Sequence, residues 1–417
     1  MRQFIGIIAA FVLLLVMLKG WPKVFKGKKA PLGPVLVITG LIMAIIGGRP
    51  VSSMVDAAVK VFTTSSSLQT LIVVLEIGVL GSLLKQYGLL DRIVRAMSQL
   101  VPSKKALIMA LPAIMGLLPV PGGAFLSAPF VDSLGNDLQL SGERKSVINL
   151  YFRHISMFLL PYNTTMLAVL SALPEVNAYH LIGLNLPFVA LYLLGAWFCY
   201  VRSAPSVKAE RSGNRLQALK DVLLYLSPVY LALLLNVFAG LAMYQSLLAC
   251  IALTFFLIGK DKSQYMSRVV KGLNFDTLLM LMGVYYLQNT VKGMDAVMNG
   301  MGSVMTGQSI LGFVLLVPVI ALAFGISTGV NLVPMSILLP LVANLNLPPM
   351  AQTVYAMYVV LWSFFGYYYS PFHLCHLLSI KYMGCDAKPV YRLHLRLMPF
   401  LCAAGVALFV GYYLILL

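Results

Sequence analysis

The sequence predicts an all-α polytopic membrane protein with about ten transmembrane helices and two re-entrant helical hairpins, arranged as two inverted repeats. Three observations predict it. Apolar residues make up 60% of the 417 and charged residues only 10%, with a mean hydropathy of +0.90. A water-soluble domain carries roughly 25% charge, so this chain has too little polar surface to be wetted, and its solvent is lipid. Lys and Arg fall in short clusters between long apolar runs, as they do in cytoplasmic loops. Two of the apolar runs are interrupted at their centres by Pro and Gly, at corresponding places in the two halves. Together these features exclude a disordered chain, a disulfide scaffold and a soluble enzyme. The net charge of +17 belongs to the loops, so no nucleic-acid partner is expected. Cys199, Cys250, Cys375, Cys385 and Cys402 show no Cys-x-x-Cys spacing and read as small packing residues.

Each span follows in order. Residues 3–18 are apolar, and a basic cluster (Lys19, Lys23, Lys26, Lys28, Lys29) comes after them. A cleaved signal peptide carries its charge in front, so this is a retained first helix. Further apolar spans fall at 33–48, 68–86, 106–134, 146–172, 178–201, 219–240, 243–259, 276–291, 308–345, 350–380 and 396–417. The interrupted pair, 106–134 and 308–345, are too long for one helix each, and their arms are too short for two ordinary crossings. If both are hairpins that enter and leave on one side, six loops near 19–33, 85–105, 135–145, 202–220, 260–276 and 381–396 share a side and hold 25 of the 30 basic residues. That asymmetry makes the shared side cytoplasmic and puts both termini outside the cytoplasm. The expected location is the cytoplasmic membrane.

The chain divides at a polar linker, 205–218, into a first repeat (1–204) and a second (219–417). Gly78 corresponds to Gly283 and Pro119 to Phe324, both at a shift of 205; Pro161 corresponds to Pro371 at a shift of 210. Amphipathic stretches, Leu89 to Leu100 and Met294 to Met305, precede the hairpin in each half. Five crossings per half is an odd number, so the second half is inserted upside down. Inverted repeats with discontinuous helices are a construction of secondary transporters, which place the substrate where the broken helices meet.

A break in a membrane helix frees N–H and C=O groups that lipid cannot hydrate, so protein, water, substrate or ion must satisfy them. Four breaks are expected: hairpin tips at Pro119–Ala124 and Gly325–Asn331, and helix breaks at Pro161–Thr165 and Ser370–Cys375. The substrate-binding candidates follow: Pro121, Gly122 and Gly123 at the first tip, Ser327, Thr328 and Asn331 at the second, Asn163, Thr164 and Thr165 at the first helix break, and Ser370 and His373 at the second. Half-helix N-termini favour an anionic group, and freed carbonyls suit Na⁺. Candidates for ion coupling are Glu76, the carboxylate placed deepest in a span, with Arg153 and His154 two turns into span 146–172. Glu76 also reads as a structural partner for Arg153, and Arg153 as a side chain snorkelling to the cytoplasmic face. Asp221 and Asp276 read as helix caps, and His180 and His394 as helix-end residues. The fragment His373-Leu-Cys-His376 lacks a second Cys or His cluster to complete a tetrahedral set, so no metal and no cofactor is expected beyond Na⁺ or H⁺ as coupling ion.

Leu118-Pro-Val-Pro-Gly-Gly-Ala-Phe, Tyr151-Phe-Arg-His and Tyr369-Ser-Pro-Phe-His-Leu-Cys resemble an uncharacterised family of prokaryotic integral membrane proteins, over essentially the whole chain. The order of spans, hairpin and broken helix, given twice, resembles the ion transporter superfamily. That resemblance implies an elevator mechanism, in which a transport domain slides against a scaffold domain that dimerises, so a homodimer is expected. The superfamily's Na⁺-coupled dicarboxylate carriers place Ser-Asn-Thr at their tips; this chain has Pro-Gly-Gly at one and Ser327-Thr328 with Asn331 at the other, so only the site's location carries over. The functional expectation is a secondary active transporter of a small organic anion coupled to H⁺ or Na⁺. The alternative is a cation/proton antiporter that uses Glu76. An intramembrane enzyme lacks support, since no HExxH, GxSxG or paired midplane carboxylate occurs. A channel fits hairpins in both halves less well, and no Walker motif is present.

Overall fold

The computed structural model describes residues 2–24, 31–117, 124–209, 214–258, 262–306 and 310–417. Among them every extended element is a helix, and the strand-like pairing is confined to one isolated bridge between Ser103 and Lys208. An apolar chain in lipid must satisfy its backbone internally, and helices do this within one segment. Residues 2–201 run α1 (Arg2–Val24), α2 (Leu32–Ile46), α3 (Val51–Thr63), α4 (Ser65–Gln86), α5 (Leu89–Leu100), α6 (Lys104–Gly116), α7 (Ala124–Asp137), α8 (Gly142–Arg153), α9 (Ser156–Leu159), α10 (Thr164–Ala172) and α11 (Ala178–Ala196), with α11 continued by a π-helical turn at Trp197–Val201. Residues 215–416 run α12 (Arg215–Phe238), α13 (Met243–Leu257), α14 (Tyr265–Gly272), α15 (Phe275–Lys292), α16 (Asp295–Thr306), α17 (Leu311–Thr328), α18 (Leu332–Asn344), α19 (Pro349–Tyr368), α20 (Leu374–Met383) and α21 (Ala387–Leu416).

Six stretches are long and apolar enough to cross a membrane: α4, the interrupted α8–α10, α11 with its π turn, α12, α17 and α21. Shorter apolar helices lie at Arg2–Leu18, Leu32–Ile46, Met243–Leu257 and Leu332–Asn344. The first arm of the second expected hairpin, α17, thus reaches spanning length, because Pro318 is accommodated inside it and the chain turns only at Gly329, whose φ of +68° is the left-handed conformation glycine tolerates. The span 146–172 is interrupted twice, at 154–155 and again at 160–163, where the sequence marked only the second break. Asn214 and Asn274 cap α12 and α15, in place of the expected Asp221 and Asp276. Asp221 accepts a hydrogen bond from Gln217 one turn earlier, and Asp276 lies in the first turn, where its charge suits the helix dipole.

The helices pack as two bundles that meet where α18 lies on α15, and each bundle draws on both halves of the chain. In the first, α2 lies on α15 and α1, α4 lies on α13 and α14, α3 on α15, and α12 on α5 and α13. In the second, α17 and α18 pack on α19, α6 and α7 pack on α8, and α20 and α21 both reach α8. The pairings are reciprocal: α2 with α15 matches α13 with α4, and α6 with α8 matches α17 with α19. Every residue of α18 from Leu332 to Val342 is buried, and so is all but the ends of α19.

Apolar burial drives helices together weakly in lipid, so close packing through small residues must do it. A Cβ on Gly283 would lie 2.6 Å from the carbonyl oxygen of Gly33, and one on Gly33 would lie 2.3 Å from that of Leu279, so α2 and α15 touch backbone to backbone. In the second bundle a Cβ on Gly366 would stand 2.3 Å from the Ala321 oxygen, which joins α19 to α17 in the same manner. Gly283→Leu is therefore expected to force α2 away from α15, at about 1–3 kcal/mol or more. A thermal melt of purified protein should show a lower Tm for the variant, and an unchanged Tm would mean that this contact is not tight.

Candidate functional site

The interruptions place loose helix ends at the seam between the bundles, and a cavity of about 350 Å³ lies there. From the first bundle it is lined by α4 (Val74, Ile77, Gly78) and by the start of α15 (Asn274, Thr277, Met280). From the second it takes Arg153 and His154 at the end of α8, Asn163 and Thr164 at the start of α10, Asn331 before α18, and Tyr367 and Cys375 around the break between α19 and α20. Four helix N-termini converge on it, those of α10, α15, α18 and α20. Each contributes a partial positive charge and unpaired N–H groups. Arg153 is the one formally charged side chain among the described lining residues, which include no Asp or Glu.

Hydrogen bonds tie the pieces together. Asn163 caps α10 by accepting from the Thr165 amide at 3.0 Å, and Asn331 Nδ2 donates to Thr165 Oγ1 at 2.7 Å, joining the first-half break to the second-half turn. Arg153 is buried; its Nη1 donates to the Met115 carbonyl at 3.2 Å. A Cβ on Gly116 would lie 2.0 Å from the Arg153 oxygen, so only glycine lets α6 end on α8. His154 bonds Leu150 O through Nδ1 at 2.7 Å, which leaves Nε2 to face Tyr367 Oη at 3.3 Å. His373 is fully buried, with Nδ1 3.4 Å from Tyr368 O and Nε2 without a partner among the described residues. The rings of His154 and His373 stand edge to face with centroids 4.9 Å apart. His154, His373 and Cys375 each place a ligand atom within 4.8 Å of the others.

Of the residues the sequence singled out, the cavity brings together Arg153, His154, Asn163, Thr164 and Asn331, with Thr165 directly behind and His373 beside His154. Ser327 and Thr328 lie off it, their hydroxyls bonded back to the carbonyls of Ala323 and Phe324 in α17. Ser370 is also off the lining; it donates to Ile326 O at 2.6 Å and accepts from the Phe372 amide at 3.1 Å, so it fastens the break to α17. Glu76 sits on α4 one residue from Ile77 but does not line the cavity; its Oε2 is enclosed without a hydrogen-bond partner, and no ion pair joins it to Arg153 among the described residues. Pro121, Gly122 and Gly123 lie outside the described residues. His394 lies two turns into α21, buried among the rings of Tyr151, Tyr368 and Tyr369.

A family profile described as a protein of unknown function, DUF401, matches residues 23–413. The chain belongs to the DUF401 family. No curated protein matches it at a significant level. In this DUF401 member the polar lining residues that sequence reasoning missed include Ser156, Asn274, Thr277, Tyr367 and Cys375. Asn274 was legible as a capping residue ahead of an apolar run. That α15 starts beside the α8–α10 break is a tertiary fact with no local signal. A second cavity, about 460 Å³, shares Gly78 and Asn274 with the first and is lined farther on by Lys85, Lys271 and Asp276.

Proposed function

We propose that this chain is a secondary active transporter that carries a small organic anion across the cytoplasmic membrane by elevator-type alternating access, coupled to H⁺ or Na⁺. One observation carries the reading: the cavity between the bundles offers four helix N-termini and Arg153 and no lining carboxylate, a field that favours an anion. The volume suits a ligand of metabolite size. The matched element order and the reciprocal contacts of the halves support two inverted repeats with a scaffold bundle and a moving one. Basic Lys85 and Lys271 at the outer cavity agree with an opening toward the cytoplasm. In this reading the scaffold bundle dimerises, and both termini lie outside the cytoplasm.

The direct test is thermal stabilisation of the purified protein across a panel of organic acids and organic amines, with and without Na⁺. An acid that raises Tm by mass action is the expected result. Stabilisation by amines alone would replace this reading with the cation/proton antiporter.

Glu76 is the candidate for coupling, because a half-buried carboxylate in a membrane helix, with one oxygen enclosed and without a hydrogen-bond partner, costs free energy unless protonated or paired with a cation. Glu76→Gln mimics the protonated form. In proteoliposomes the variant is expected to exchange substrate across the bilayer while losing gradient-driven accumulation and its pH dependence. Accumulation equal to the parent would move coupling elsewhere, with Na⁺ at the Asn163 and Asn331 breaks next in line.

A further inference from the structure

We propose that His154, His373 and Cys375 form a binding site for one thiophilic transition-metal ion, Zn²⁺ being the probe that fits the donor set best. The sequence offers only His373-Leu-Cys-His376, half of such a site; folding supplies the missing ligand from the other half of the chain, at the end of α8. The three ligand atoms lie within 4.8 Å of one another. Around a tetrahedral Zn²⁺ with Zn–N of about 2.0 Å and Zn–S of about 2.3 Å, such atoms sit roughly 3.3–3.6 Å apart, so the trio closes by about 1 Å. The tautomers are already set. Nδ1 of His154 is held by Leu150 O and Nδ1 of His373 faces Tyr368 O, the backbone partnership that orients metal-bound imidazoles and leaves Nε2 as the donor. The Nε2 of His373 is buried without a partner among the described residues, a cost that an ion would remove. His154 Nε2 has only Tyr367 Oη at 3.3 Å, which the ion would displace.

One thiolate and two imidazoles are ligands that Zn²⁺ takes and that hard cations such as Mg²⁺ do not. Binding would release the Cys375 thiol proton to solvent, leaving a site of charge +1 with a neutral imidazole on either side. His154 and Cys375 line the cavity, so the fourth coordination position faces it. With Arg153 on the same wall, that position calls for an anion, and on the transport reading the substrate's own carboxylate supplies it. The ion would also pin α8 to α20, fixing the geometry of both breaks from one centre.

The test uses full-length protein, stripped of metal in detergent and titrated with Zn²⁺ against a chromophoric chelator, with no substrate present. One Zn²⁺ per chain is expected, and Co²⁺ in its place should show a thiolate-to-metal charge-transfer band. Cys375→Ser should abolish the band, and Cys375→Ser, His373→Asn and His154→Asn should each weaken Zn²⁺ binding at least about tenfold. His376→Gln, one residue from Cys375 but outside the trio, should bind as the parent does. Because a variant at a buried position can fail to fold, a second measurement uses the parent alone: Zn²⁺ should slow alkylation of one of its five cysteines, and mass spectrometry should identify that one as Cys375. No stoichiometric uptake by the parent, unweakened binding in the three ligand variants, or no protection of Cys375 would each overturn the site. None of these readouts involves transport, so the metal site and the transporter reading fail separately.

Discussion

Joining α4 to α10 by a disulfide is expected to stop transport completely, and reduction is expected to restore it. Ser67 on α4 and Ser171 on α10 are both buried, and their hydroxyl oxygens lie 3.1 Å apart. That spacing is compatible with the Cβ separation of about 3.5–4.5 Å that a disulfide requires. α4 belongs to the bundle of α2, α13 and α15, and α10, which follows the break at 160–163, packs on α18 of the other bundle as well as on α4 and α15. If the second bundle slides against the first, a covalent bond at this seam holds it in one position. The experiment places Ser67→Cys and Ser171→Cys in a background without the five native cysteines and compares uptake before and after oxidation. Each single variant should transport in both conditions, since neither can cross-link within the chain. Full uptake by the oxidised, demonstrably cross-linked double variant would sink the elevator motion at this seam.

Much of the architecture was legible because lipid imposes few solutions. The amphipathic stretch read as Leu89 to Leu100 is α5 with the same ends, and the second, read as Met294 to Met305, is α16 within a residue. Both stand out because their polar residues recur on one face between fully apolar neighbours. The turn before Asn331 falls inside the expected tip Gly325–Asn331, at Gly329, whose backbone takes the left-handed region. What escaped has a physical reason in each case. The break at His154 carries neither Pro nor Gly: α8 ends there because the carbonyl end of the helix meets the backbone of Gly116, a contact made 37 residues away. The arms of the second hairpin were read as too short to cross, yet α17 reaches spanning length with Pro318 inside it, since a proline in a membrane helix removes one hydrogen bond without ending the helix. Asn163, Thr164 and Asn331 were readable as polar lining residues beside breaks. Asn274, Thr277 and Tyr367 have ordinary local explanations and matter only through what folds against them.

Replacing Arg153 separates recognition from scaffolding, because the two roles predict opposite signs for stability. Arg153 is buried, donates a hydrogen bond to Met115 O, stands beside the Cys375 thiol, and has no carboxylate within ion-pair distance among the described residues. An unpaired cation in such a place costs free energy in the ligand-free protein. A bound anion would offset that cost, and a hydrogen bond to a charged group is worth about 1.5–3 kcal/mol. Arg153→Gln keeps a donor for Met115 O and removes the charge. Its ligand-free Tm is expected to equal or exceed the parent's, while its affinity for the stabilising acid falls by about ten- to 150-fold, the same free energy expressed as a ratio. Arg153→Lys should retain part of the affinity, since it restores the charge without the planar fork that binds a carboxylate through two parallel bonds. If Arg153 merely braces the junction of α6 and α8, the signs reverse: Arg153→Gln would melt at a lower temperature, and whatever protein survived would bind the acid as the parent does. Titration of both variants with the same acid, followed by melting and by uptake in proteoliposomes, decides between the two.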